Sequence, residues 1–149
     1  MNTKTQNTIT FLIGASGSGK SRYAKELAGQ QDAFIIDADA IKLALNNQMP
    51  VDSDTNAQLH PAASELSQSL LFSYFYNQDS FLDSYNCKTV IFDNRGKNWS
   101  KVLTRITAAK SAGLQVRFVY VKNDLASCLY NVHRRNQTSK RKMFLSVCA

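Results

Sequence analysis

Residues Gly14 to Ser21 read Gly-Ala-Ser-Gly-Ser-Gly-Lys-Ser, and no other stretch restricts the fold of this chain as tightly. The pattern, Gly, four residues, Gly-Lys and then Ser, is that of a phosphate-binding loop. Gly14, Gly17 and Gly19 allow a tight turn and close approach of a ligand to the backbone. The loop residues between them, Ala15, Ser16 and Ser18, contribute N–H groups to a concave anion nest. Lys20 is expected to reach the β- and γ-phosphates of a nucleotide, and Ser21 to offer its hydroxyl to Mg²⁺. The flanks agree. Thr8–Ile13 is a β-branched, apolar run, which predicts a strand. Tyr23, Ala24, Leu27 and Ala28 fall at helical spacing, and Gly29 stands where a C-cap would end that helix. A flexible Gly/Ser linker has no reason to carry either flank.

The rest of the composition narrows the setting. A length of 149 residues is read as one domain, 1–149, able to bury roughly two-thirds of its unfolded surface. The 44% hydrophobic content fits a folded chain, and no apolar run approaches the roughly 20 residues that cross a membrane. Cys87, Cys128 and Cys148 form no C-x-x-C pair, so a reducing cytoplasm is the expected home. The net charge of +7 is unevenly spread. Residues 1–133 carry 13 basic and 11 acidic side chains, a balance of only +2, and the other five cations lie between Arg134 and Lys142. A nearly neutral body does not favour nucleic acid as a partner.

Along the chain, apolar β-rich runs alternate with helical spacing. Strands are expected at 8–13, 33–36, 89–92 and 116–121. The alternation of Val116, Phe118 and Tyr120 places the last of these near a sheet edge. Helices are expected after the loop, over 40–45 with Ala40, Ile41, Ala44 and Leu45 inward, from His60-Pro61 onward, over 80–85, from a Ser100 N-cap to Gly113, and over 124–133. The helix from His60 has Leu66, Leu70, Leu71, Tyr74 and Phe75 on its apolar side; the one from Ser100 has Val102, Leu103, Ile106 and Ala109. Residues 1–7 read as frayed and 46–58 as a surface loop. The fold class is α/β: three layers, with a parallel sheet of four or five strands and helices on both faces. In such sheets ligands sit beyond the carboxyl ends of the strands. The first three strands end at Gly14, at Asp37 and Asp39, and at Asp93, so a phosphate cradle and three carboxylates converge on one edge.

Phosphoryl transfer needs a cradle, a divalent cation and a group that takes the proton of the attacking hydroxyl. Asp93 closes an apolar strand as a Walker B carboxylate does, and is the expected Mg²⁺ partner of Ser21. Asp39 is the candidate general base, with N-capping of the following helix as its ordinary role. Asp37 and Lys42 are candidate substrate contacts, although a lysine there more ordinarily faces solvent. Arg134, Arg135 and Arg141 are candidates to close over the phosphates and stabilise developing charge, or else form a solubilising tail. His60 and His133 are read as structural.

Together these segments resemble the P-loop kinases of the zeta-toxin and polynucleotide-kinase branch. The resemblance rests on the loop, on Ile35-Ile36-Asp37-Ala38-Asp39-Ala40-Ile41-Lys42, on Asp93-Asn94, and on the Ala-Gly-Leu-Gln-Val-Arg-Phe-Val-Tyr-Val stretch, and covers roughly residues 8–142. It implies that Asp39 is the catalytic base, that Lys42 is a basic substrate contact, and that Asn94 is a substrate contact. It also implies that Arg134, Arg135 and Arg141 lie on a lid. Where zeta toxins carry Glu followed by Gly-Thr, this chain has Asp93-Asn94-Arg95, closer to the polynucleotide kinases. The tail after the basic run is short for the family and is read as a minimal or shortened end.

The expected activity is therefore an ATP- (or GTP-) and Mg²⁺-dependent kinase. It transfers the γ-phosphate to a hydroxyl of a small molecule such as a nucleotide sugar. A polynucleotide 5′-hydroxyl kinase is the alternative acceptor class. A GTP-binding switch is weighed because Asp93-Asn94-Arg95-Gly96 fits Asp-x-x-Gly, but Val121 stands where Asn-Lys-x-Asp needs its Asn. An inactive nucleotide-binding domain is the remaining reading.

Overall fold

The computed structural model describes residues 6–15, 18–49 and 51–122. Four parallel strands form one sheet in the order β2-β3-β1-β4. They are β1 (Thr8–Ile13), β2 (Ala33–Asp37), β3 (Thr89–Asn94) and β4 (Gln115–Tyr120). Helix α1 (Lys20–Gln31) follows β1, and α2 (Ala38–Leu45), α3 (Ser53–Tyr76) and α4 (Gln78–Ser84) lie between β2 and β3. Helix α5 (Trp99–Ser111) joins β3 to β4. The expected final helix over 124–133 lies outside the described residues.

The two-residue period of the strands sorts the core into two layers. Ile9 and Phe11 of β1, Ile36 of β2, and Val90 and Phe92 of β3 pack against Leu71, Tyr74 and Phe75 of α3, Phe81 of α4 and Ala109 of α5. Leu12 and Ile91 face the other way, onto Ala24 of α1, with Ile35 and Val119 beside them. Helices therefore cover both faces. The same alternation decides where the strand-end carboxylates go. Asp37 and Asp93 are register partners on the α1 side, one residue beyond the inward Ile36 and Phe92. Among the described strands, β4 takes one edge as expected and β2 takes the other.

Several helix bounds differ from those expected, and side-chain caps explain most of them. Asp52 accepts from the Thr55 N–H at 2.7 Å, so α3 starts at Ser53 and the expected loop 46–58 is half helix. His60-Pro61 then lies inside α3, not at its start. Asn98, not Ser100, caps α5 by accepting from the Lys101 N–H. Asp37, not Asp39, caps α2. Gly29 lies inside α1, and Asp32 ends that helix in a left-handed conformation, φ 55°.

The expected apolar stripes also shift. Leu66 and Leu103 are exposed, and the buried face of α3 is Ala63, Ser67, Leu71, Tyr74 and Phe75. In α2, Leu45 is exposed and the buried residue is Lys42. Residues 6 and 7 are held rather than frayed: Gln6 Nε2 donates to Gly113 O, and the Gln115 N–H donates to Asn7 O. Tyr74 ties α3 to the sheet, its hydroxyl donating to Thr8 O at 2.7 Å.

Candidate active site

The loop between β1 and α1 is shaped by what its glycines leave open. A Cβ on Gly14 would meet Ser18 Oγ and Val121 O, each at 2.9 Å. Gly19, at φ 90°, takes a left-handed conformation that admits the start of α1 at Lys20. The Ser18 N–H closes a turn onto Ala15 O at 3.1 Å. Ser18 Oγ is buried and, among the described residues, has no hydrogen-bond partner. A cradle that a Cβ would fill, an orphaned buried hydroxyl and a lysine at a helix N-terminus fit a bound phosphate. Ser16 and Gly17 lie outside the described residues.

A cavity of about 350 Å³ opens beside this loop at the carboxyl ends of β2 and β3. Lys20, Ser21, Asp37, Asp39, Lys42, Asp93 and Asn94, expected from the sequence as site residues, all line it. Lys20 Nζ forms an ion pair with Asp93 Oδ1, and Asp93 is buried. Ser21 and Asp93 are the residues that could hold Mg²⁺. No group of three or more metal-ligating side chains occurs among the described residues.

Asp37 does two things. Its Oδ1 accepts from the Asp39 N–H at 3.0 Å, which fixes the first turn of α2 and with it the place of Asp39. Its carboxyl is pushed up to about 6, first by burial and then by the charges of Asp93 and Asp39. Asp39, released from capping, is partly exposed and pairs with Lys42 Nζ at 3.5 Å. Lys42 is a candidate substrate contact at a position where a lysine ordinarily faces solvent. It is instead 4% exposed, its stem buried and its ammonium turned into the cavity next to Asp39. The Asn94 side chain accepts from the Gly96 N–H, which shapes the turn that leaves β3. Gly96 is left-handed at φ 73°, and a Cβ there would stand 2.3 Å from Ile13 Cγ2.

Other lining residues were not expected. His60, read as structural, lies on α3 at the cavity. Burial, Lys42 and Arg95 hold its imidazole below its ordinary pKa. Arg95, Lys97, Lys101 and Arg105 line the side of the cavity formed by the β3–α5 turn and α5. A signal for part of this wall was present. Asn98, Lys101 and Arg105 are spaced i, i+3 and i+7, one face of a helix. Arg134, Arg135 and Arg141 lie outside the described residues.

Comparison with known proteins places this geometry. The chain is 30% identical over 95 residues to a tRNA dimethylallyltransferase of Bartonella tribocorum, covering 59% of this chain and 33% of that protein. It thus spans about a third of that relative. Among solved structures, a putative kinase of Chloroflexus aurantiacus superposes with TM-score 0.66 at 11% identity, over 90% of this chain and 68% of that one. A structure of the PezAT toxin–antitoxin system of Streptococcus pneumoniae gives 0.60 at 13% identity, over 92% and 65%. A chain of the Pnkp1/Rnl/Hen1 RNA repair complex gives 0.67 at 16% identity, over 99% and 43%. At these identities the likeness is one of fold alone. No described helix is long and apolar enough to cross a membrane. A family model described as an AAA domain matches residues 9–147, and the chain belongs to that family.

Proposed function

We propose that this protein is an ATP-dependent kinase that transfers the γ-phosphate to a hydroxyl of a small molecule such as a nucleotide sugar. One observation carries the reading. The phosphate loop, the Lys20–Asp93 pair and the Asp39–Lys42 pair open onto a single cavity at the carboxyl edge of the sheet. A nucleotide-binding switch has no need of the second pair.

In this reading the loop and Lys20 bind the nucleotide's phosphates. Ser21 and Asp93 would hold Mg²⁺, which when bound supplies charge neutralisation on the transferring phosphoryl group. Asp39 accepts the proton of the acceptor hydroxyl as its oxygen bonds to the γ-phosphorus and ADP leaves. Lys42 holds the Asp39 carboxylate in place, and Asp37 holds its backbone. Arg134, Arg135 and Arg141 are proposed to add positive charge at the phosphates.

The test is transfer of labelled γ-phosphate from Mg-ATP to a pool of nucleotide sugars, with a 5′-hydroxyl oligonucleotide in parallel. Lys20→Ala should abolish labelling. Asp39→Ala should reduce it by about a hundredfold or more, the usual scale of general-base catalysis. Undiminished transfer by Lys20→Ala would sink the mechanism. Label on the oligonucleotide alone would move the acceptor to the polynucleotide class.

A further inference from the structure

The cavity carries more positive charge than its own carboxylates balance. Six cationic side chains line it, Lys20, Lys42, Arg95, Lys97, Lys101 and Arg105, against three carboxylates. The charges are also sorted in space. Lys20 pairs with Asp93 and Lys42 with Asp39, so the loop side and the α2 side are locally neutral. Asp37 is the remaining carboxylate, and its register partner is Asp93, on the loop side. The four other cations lie together on the β3–α5 turn and the first two turns of α5. Among the described residues none of the four has a carboxylate partner.

Arg105 is the informative member. Its guanidinium lies 5.2 Å from the centroid of the Phe92 ring, and that ring is buried in the core. The stacked position holds the charge at the cavity wall instead of letting it swing into water. Arg105 is half-buried, so its cation is partly stripped of solvent, and it stays charged at any working pH. Desolvating a cation with no counter-charge is costly, and a solvating face has no reason to accept that cost. One turn earlier Lys101 projects from the same face of α5, and Asn98 begins it. The planar fork of Arg105 matches two oxygens of a phosphate, with Lys101 as a flexible second charge.

We propose that Arg105 and Lys101, supported by Arg95 and Lys97, form a second anion subsite across the cavity from the phosphate loop. It takes a phosphate that the acceptor already carries. The inference rests on the kinase reading and deepens it: the acceptor's own phosphate is what the site recognises, and Arg105 is the residue that selects a phosphorylated acceptor over its neutral counterpart. A cavity of about 350 Å³ accommodates a compact phosphorylated group.

Two measurements on the full chain separate this proposal from the reading beneath it. The first is calorimetric binding of inorganic pyrophosphate, a stand-in for an acceptor's diphosphate, with ADP at saturation so that the loop is filled. Wild type should bind it, Arg105→Gln and Lys101→Gln should each weaken binding about tenfold or more, and Arg105→Lys should fall between. ADP affinity should be unchanged in all three, which also reports that they are folded; the exposed Lys101 keeps the test valid if Arg105→Gln is not. Pyrophosphate that fails to bind wild type, or binds every variant equally, overturns the subsite.

The second is labelled transfer to nucleotide sugars beside the same sugars without phosphate. Arg105→Gln should raise KM for the phosphorylated acceptor about tenfold with little change in kcat. Equal labelling of the neutral sugars overturns the subsite while leaving the kinase in place. Pyrophosphate binding that depends on Arg105, with no transfer to any acceptor, upholds the subsite and overturns the kinase.

Discussion

Replacing Asp37 with Asn should stabilise the protein by an amount that grows between about pH 3.8 and about 6 and is constant above that. The Asp37 carboxyl caps α2, and an Asn side-chain oxygen can accept the same bond from the Asp39 N–H. What the change removes is charge. Asp37 sits beside its register partner Asp93 and near Asp39, and burial with these two charges lifts its pKa from 3.8 to about 6. A raised carboxyl pKa means that the folded state holds the proton more tightly than the unfolded chain does. The stability contributed by the protonated form is full below about pH 3.8 and is lost as pH rises through about 6. At 1.36 kcal/mol per unit, the whole cost of ionisation is about 3 kcal/mol, an upper figure because partial exposure and relaxation reduce it. In Asp37→Asn that cost is absent. Urea unfolding without divalent cations should show the variant more stable than wild type by about 1–3 kcal/mol at pH 7.5 and by little at pH 4. Carboxylates far from Asp37 cancel in the difference between the two proteins, and the relief of its repulsion with Asp93 and Asp39 is part of the effect measured. An equal difference at both pH values, or a variant less stable at pH 7.5, would refute the account of a strained carboxylate pair.

Gly96→Ala should lose about 2–4 kcal/mol in urea unfolding, since it combines a left-handed φ of 73° with a Cβ that overlaps Ile13. Gly29→Ala, inside α1 with nothing near its Cβ, should gain about 0.5–1 kcal/mol by the same measurement. Tyr74→Phe should cost only about 1 kcal/mol, because Thr8 O also accepts from Thr89 Oγ1 and is not left unpaired. Lys42→Met keeps the buried stem and removes the ion pair with Asp39. Stability should change by less than about 1 kcal/mol while transfer slows about tenfold or more in steady-state assays.

The glycine loop and its flanking strand were legible because their chemistry is local. Gly14 and Gly19 are required by backbone geometry and Lys20 by its place at the start of α1, all within a few residues. Strands β1 and β3 were legible for a similar reason: an apolar run buried on both faces has few alternatives. Helix starts were harder, because Asp52, Asp37 and Asn98 read equally as turn residues and as caps. Only the N–H that each accepts decides between the two. The burial of Lys42 was not legible, since no local rule points a lysine inward; α3 packing over α2 and the nearby Asp39 carboxylate put it there.

The basic wall lies between these cases. Lys101 and Arg105 share a helix face by spacing alone, yet spacing does not tell a cavity from open solvent. What converts the face into a candidate site is the position of Phe92, whose ring is fixed by the alternation of β3 and offers its face to the guanidinium. Asp93 turns to the phosphate loop and Phe92 to α5 because they are adjacent residues of one strand. The Lys20–Asp93 side and the Arg105 side of the cavity are thus separated by a single step along β3. The Phe92-Asp93 dipeptide, of which only Asp93 is a candidate site residue from the sequence, sends one side chain to each side of the cavity.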